Sequence, residues 1–121
     1  MFRILITGSR DWPDIPFMRE ALRSYTGCGV KWCHGGARGA DSIAAHILRE
    51  FSEDVKAYPV DTSIDGPWPA AGNRRNERMF NDFKPDLVLA FPMPQSKGTV
   101  NMIAYAEKHG CPVIRAVMDA V

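Results

Sequence analysis

Hydrophobic positions along the 121-residue chain alternate between two periods. Five short runs, 2–7, 30–34, 55–60, 87–91 and 112–116, are rich in β-branched and aliphatic residues. Runs of this length, closed by glycine, proline or aspartate, read as buried strands. Between them the apolar residues recur at helical spacing. Phe17, Met18, Ala21, Leu22 and Tyr25 make one such set. Ala40, Ile43, Ala44, Ile47, Leu48 and Phe51 make a cleaner stripe, with Arg49, Glu50 and Glu53 off it. Residues 73–83, polar and basic at their start, and 98–109 supply two further helices.

Punctuation supports these boundaries. Pro13 and Pro16 sit where a helix begins, Gly27 and Gly29 where it stops, and Gly110 closes the last helix. Pro59 marks the end or the edge of the third strand. Residues 61–72, with Gly66-Pro67-Trp68-Pro69 at their centre, predict a long loop. Strand and helix alternating five times predict an α/β fold: one domain over 1–121, a doubly wound sheet of about five parallel strands with helices on both faces. Strand order stays open, although a central first strand is the usual solution. Ligands of such sheets lie beyond the carboxyl ends of the strands, where the winding reverses.

Composition changes this picture little. A 45% hydrophobic and 24% charged chain is ordinary for a soluble domain. A net charge of +1 gives no global pull toward nucleic acid or an anionic membrane, so any affinity for phosphate must be local. No apolar run reaches the ~20 residues of a membrane span, and the N-terminus lacks the apolar length and cleavage site of a secretory signal. Cys28, Cys33 and Cys111 are odd in number and fit no common zinc spacing. Reduced structural thiols in the cytoplasm are the expectation, without a metal. Neither G-x-G-x-x-G nor a Walker P-loop is present, and no cofactor is implied.

The candidate chemistry lies in three loops, each directly after a strand. The first carries Gly8, Ser9 and Arg10. The second, Gly35-Gly36-Ala37-Arg38-Gly39-Ala40-Asp41, opens a helix with three glycines in five residues. The third ends in Ser96, Lys97, Gly98 and Thr99 at another helix start. Helix N-termini and arginine forks suit a phosphate, and Arg74, Arg75 and Arg78 join if their helix starts beside the site. Each element has a plainer reading: a tight connection for the glycines, a helix cap for Asp41, solvated surface for the arginines. Trp68 is either a packing anchor or a face on which a base stacks.

Thr7-Gly8-Ser9-Arg10-Asp11-Trp12, His34 through Asp41, Ala71-Gly72 with Arg75-Asn76-x-x-Met79, and Pro85 through Pro92 followed by Gly98-Thr99 resemble the YspA-type, YpsA-related branch of the SLOG superfamily. The resemblance spans essentially the whole chain. It implies a Rossmann-like fold and adds Asn76 to the candidate ligand residues. The superfamily includes the LOG phosphoribohydrolases, the DprA DNA-processing proteins and sensors of nucleotide-derived signals. LOG-type enzymes carry P-G-G-x-G-T-x-x-E, whose glutamate assists glycosidic cleavage. Here the Gly-Thr is kept, the paired glycines are not, and Met102 stands in the glutamate's place. A thioether is no general base, so cleavage through that position is excluded.

The leading expectation is therefore binding of a nucleotide or nucleotide-derived ligand, such as a mononucleotide, ADP-ribose or an NAD-derived molecule. The alternative is N-glycosidic hydrolysis of nucleoside phosphates through another carboxylate, Asp41 before Asp11 or Glu77. Single-stranded nucleic acid ranks third, against the near-neutral charge. The resemblance also admits a homodimer. Trp12, Trp32 and Phe80 could supply its contact surface, and core burial of the same residues is equally consistent.

Overall fold

The computed structural model describes residues 2–36, 39–93 and 96–116. Five strands, β1 (Arg3–Gly8), β2 (Lys31–His34), β3 (Asp54–Ala57), β4 (Leu87–Phe91) and β5 (Val113–Arg115), form one parallel sheet in the order β3-β2-β1-β4-β5. The helices between them are α1 (Ile15–Arg23), α2 (Ala40–Glu50), α3 (Thr62–Asp65), α4 (Ala71–Phe83) and α5 (Lys97–Lys108). The first strand is central. Winding runs outward from it through β2 and β3, then restarts on its other side at β4, so the reversal falls between β1 and β4.

The period of two along each strand separates two cores. Ile4, Ile6, Trp32, Leu87, Leu89 and Phe91 pack against Met18 and Leu22 of α1 and Ala44, Ile47 and Leu48 of α2. Leu5, Cys33 and Val88 face the opposite layer, with Met79 and Phe83 of α4 and Met102 and Ala106 of α5. A sheet covered on both faces needs apolar residues at successive positions, which is why β4 is buried from end to end. Trp12 and Trp32 belong to this interior, 4% and 1% exposed, with their indole N–H groups donating to the Asp14 carbonyl and to Glu53 Oε1. They offer no surface to a second copy. Phe80 is partly buried against Tyr105 and His109.

Three boundaries differ from the sequence reading. Tyr25 lies past the end of α1 and packs edge-on against Trp32. The strand at 55–60 stops at Ala57, although the Tyr58 N–H still donates to the His34 carbonyl at 2.8 Å. The segment 61–72 is not one irregular loop. Asp61 caps α3 by accepting from the Ser63 N–H at 3.0 Å, and α4 begins at Ala71. The Asp65 side chain then pairs with Arg78, Nε to Oδ1 at 2.8 Å and Nη2 to Oδ2 at 2.9 Å, fastening α3 to α4.

Candidate functional site

Parallel strands deliver their carboxyl ends to one edge, and there the loops after β1, β2 and β3, with the starts of α4 and α5, enclose a cleft of about 560 Å³. That volume lies within the range of small-molecule sites. Gly8, Ser9, Arg10, Gly35, Gly36, Asp41, Arg75, Asn76, Gly98 and Thr99 all line it. Gly39 does not line it, and Arg38 falls outside the described residues. Lining residues absent from the sequence-based candidates are Ile6, Thr7, Pro59, Val60, Pro69, Gly72, Asn73 and Met79. Pro59 and Val60 were findable, because the rule that places sites at strand carboxyl ends applies to β3 as it does to β1.

The loops after β1 and β2 are wedged together. The Ala40 N–H donates to the Ser9 carbonyl at 2.9 Å, and the Ser9 N–H to the Phe91 carbonyl at 3.0 Å. Gly8 touches Ala40 so closely that a Cβ there would overlap that of Ala40. Ser9 Oγ is turned inward and accepts the Asp11 N–H at 3.1 Å.

The glycine loop was expected to present free main-chain N–H groups, but two of them are already engaged. The Gly35 N–H donates to Asp41 Oδ2 at 3.1 Å, and the Gly36 N–H to His34 Nδ1 at 2.9 Å. His34 is buried, and burial, then the Arg49 and Arg75 charges, hold its pKa below the ordinary 6.5. It is therefore neutral near pH 7, with its proton on Nε2, which has no partner among the described residues. Cys33 beside it is pushed upward by burial and then by Asp41, so its thiol is inert.

Two arginines are committed to the scaffold as well. Arg75 Nη1 donates to the Gly35 and Tyr58 carbonyls, and its Nε to Asn76 Oδ1 at 3.1 Å. Burial is the main cause that lowers its pKa, which leaves it fully charged. Arg78 is locked on Asp65 and does not line the cleft. Of the basic cluster that motivated nucleic-acid binding, only Arg74 is left exposed with no ion pair among the described residues. Asn76 is buried and uses its amide to hold the start of α5, donating to the Gly98 carbonyl and Asn101 Oδ1, both at 3.3 Å.

The start of α5 is built differently. Its cap residue Ser96 makes no side-chain bond to a main-chain N–H of the helix; its hydroxyl instead lies 2.6 Å from Thr99 Oγ1. The N–H groups of Lys97, Gly98 and Thr99 have no acceptor among the described residues. A Cβ on Gly98 would meet nothing within 4 Å. Arg10 and Lys97, both exposed, also line the cleft and form no ion pair among the described residues. Met102, three residues beyond Thr99, is fully buried in the core and cannot reach a ligand. Among the described residues, no His, Cys, Asp and Glu side chains gather into a metal site, and no helix is long and apolar enough to cross a membrane.

Sheet order and cleft together define a Rossmann-like α/β domain with its opening at the switch between β1 and β4. The chain belongs to the family of the Gene 61 protein of Mycobacterium phage D29, with which it is 39% identical over 122 residues, spanning 94% of this chain and 95% of that one. No protein-family model matches it. Among solved structures, the X-ray structure of TM1055, a structural genomics target, is similar over 93% of this chain and 72% of its own, at 18% identity and a TM-score of 0.71. The UDP-GlcNAc 2-epimerase of Neisseria meningitidis, solved with UDP-GlcNAc bound, is similar at 16% identity and a TM-score of 0.56. This chain spans 32% of that enzyme. At such identities the likeness is one of fold.

Proposed function

We propose that the cleft binds a nucleotide or a nucleotide-derived molecule and takes its phosphate at the start of α5. This agrees with the SLOG resemblance of the motifs. One observation carries the reading: Lys97, Gly98 and Thr99, whose N–H groups have no acceptor among the described residues, line the cleft together with two cations, Arg10 and Lys97, that form no ion pair among the described residues. Helix dipole, bare main chain and cationic side chains act in the same direction on an anion. On this reading the phosphate sits at α5, because the Gly35 and Gly36 N–H groups of the glycine loop are already engaged by Asp41 and His34. The sugar-nucleotide complex of the epimerase, a protein of the same fold, is consistent with this reading.

Thermal shift with AMP, ADP-ribose and NAD tests it. A ligand at a hundred times its dissociation constant stabilises the native state by about 2.7 kcal/mol. Gly98→Ala sharpens the test. The fold makes no demand for glycine at 98, since a Cβ there meets nothing, so alanine is expected to leave stability unchanged or raised by up to about 1 kcal/mol. The added methyl group obstructs the phosphate, and affinity is expected to fall about tenfold or more. Unchanged affinity in Gly98→Ala places the phosphate elsewhere.

A second reading has one observation in its favour: Asp41, 5% exposed, lines the same cleft. It would be the carboxylate for N-glycosidic hydrolysis, in place of the buried Met102. Base release from nucleoside monophosphates should then fall about a hundredfold or more in Asp41→Asn, within the range of general acid–base catalysis. Release that survives the substitution removes Asp41 from the chemistry.

A further inference from the structure

The chain has three tryptophans, and their environments divide them. Trp12 and Trp32 are core residues with bonded indole N–H groups. Trp68 is 58% exposed, and its N–H has no acceptor among the described residues. Its exposure does not reflect a loosely held segment. Immediately before it, α3 is capped by Asp61 and clamped by the Asp65–Arg78 pair; immediately after it, α4 begins at Ala71. A large apolar ring is therefore held at a cleft wall without being used to pack the core. The ring lies near the first turn of α4, where a Cβ on Gly72 would make an ordinary 3.5 Å contact with the indole.

We infer that Trp68 is a stacking platform for the planar heteroaromatic base of the ligand whose phosphate α5 receives; this rests on the phosphate reading above. The walls differ in chemistry. Arg10, Lys97 and Gly98, on the connections leaving β1 and β4, are cationic or bare main chain, whereas Pro59, Val60 and Trp68, on the connection leaving β3, are apolar. In the order β3-β2-β1-β4, three strand spacings separate β3 from β4, on the order of 14 Å. A free phosphate or a bare sugar phosphate has no flat apolar face to offer the second wall. A phosphate ester that carries an aromatic base has a charged end and a flat apolar end, and it matches both. An indole face accepts any base, so Trp68 contributes affinity for a base while leaving its identity to hydrogen bonds.

Calorimetric titration of the wild type, Trp68→Ala and Trp68→Phe with AMP, GMP, UMP, CMP and ribose 5-phosphate tests the assignment. At least one nucleotide is expected to bind the wild type more tightly than ribose 5-phosphate. Trp68→Ala should weaken that nucleotide about five- to a hundredfold and leave ribose 5-phosphate unchanged, while Trp68→Phe keeps most of the affinity. Because the side chain is exposed, the melting temperature of Trp68→Ala should match the wild type. Nucleotide affinity that survives Trp68→Ala, or a loss shared equally by ribose 5-phosphate, overturns the platform and leaves the phosphate cup standing. Trp68-dependent binding of nucleotides that is indifferent to Gly98→Ala and absent for ribose 5-phosphate has the opposite meaning: the platform holds and the cup does not. A wild type that binds none of the five overturns both.

Discussion

Arg78→Ala is expected to destabilise the protein by about 3–5 kcal/mol at pH 7, the usual consequence of removing one partner from a buried ion pair. The Asp65 side chain is 1% exposed, and both its oxygens accept from Arg78. Without the guanidinium it keeps, among the described residues, the Asp61 N–H, 2.9 Å from Oδ2, and the Pro59 carbonyl loses its donor from Arg78 Nη2. Against a total stability of roughly 5–15 kcal/mol, that loss is a large fraction. Chemical denaturation measures it, and a loss under about 1 kcal/mol would mean that water reaches Asp65 far more readily than its burial implies. Arg78→Lys keeps the charge but not the fork and should fall between the two.

The same pair sets a pH dependence. The bonds from Arg78 hold the Asp65 carboxyl down to about 2, from an ordinary value of 3.8. The folded state binds this proton more weakly than the unfolded chain. The stabilisation is therefore complete above about pH 3.8 and is lost as pH falls toward 2. In Arg78→Ala that part of the acid limb should flatten, because the partner that depresses the carboxyl is gone.

This pair also shows where the sequence stops being legible. The α/β alternation and the two buried layers follow from periodicity, since strand and helix periods are local properties; the strand order, with β1 central, does not. Convergence of the loops on one edge follows from topology. Hydrogen-bond partners do not. Arg75 and Arg78 read as a basic helix surface until the Gly35 and Tyr58 carbonyls and Asp65 are found to occupy them. The N–H groups of Gly35 and Gly36 read as an open anion cup, whereas Asp41 and His34 fold back to accept them. Residues 61–72 read as one loop, because the contact that fastens α3 joins Asp65 to Arg78, thirteen residues apart in the chain. Polar groups near a site can serve the ligand or the scaffold, and composition does not distinguish the two uses.

Gly39 separates those uses most sharply. It has a φ of +75° and a ψ of −127°, a combination that side chains avoid, and a Cβ there would overlap the main chain of Arg10. Neither problem can be relieved by a side-chain rotation, because the obstacle is backbone. Strain of about 1–3 kcal/mol and overpacking of about 1–3 kcal/mol act together, so Gly39→Ala should cost about 2–6 kcal/mol in denaturant titration. Relief requires the two loops to part. That would pull the Ala40 N–H from the Ser9 carbonyl and shift Arg10 along the cleft wall. Any nucleotide affinity should fall in the same variant even where it remains folded, although Gly39 itself does not line the cleft. Gly98→Ala is expected to leave the fold intact and lose the ligand; Gly39→Ala is expected to lose both. A Gly39→Ala protein of wild-type stability would show that the wedge between the loops after β1 and β2 does not hold the cleft in shape.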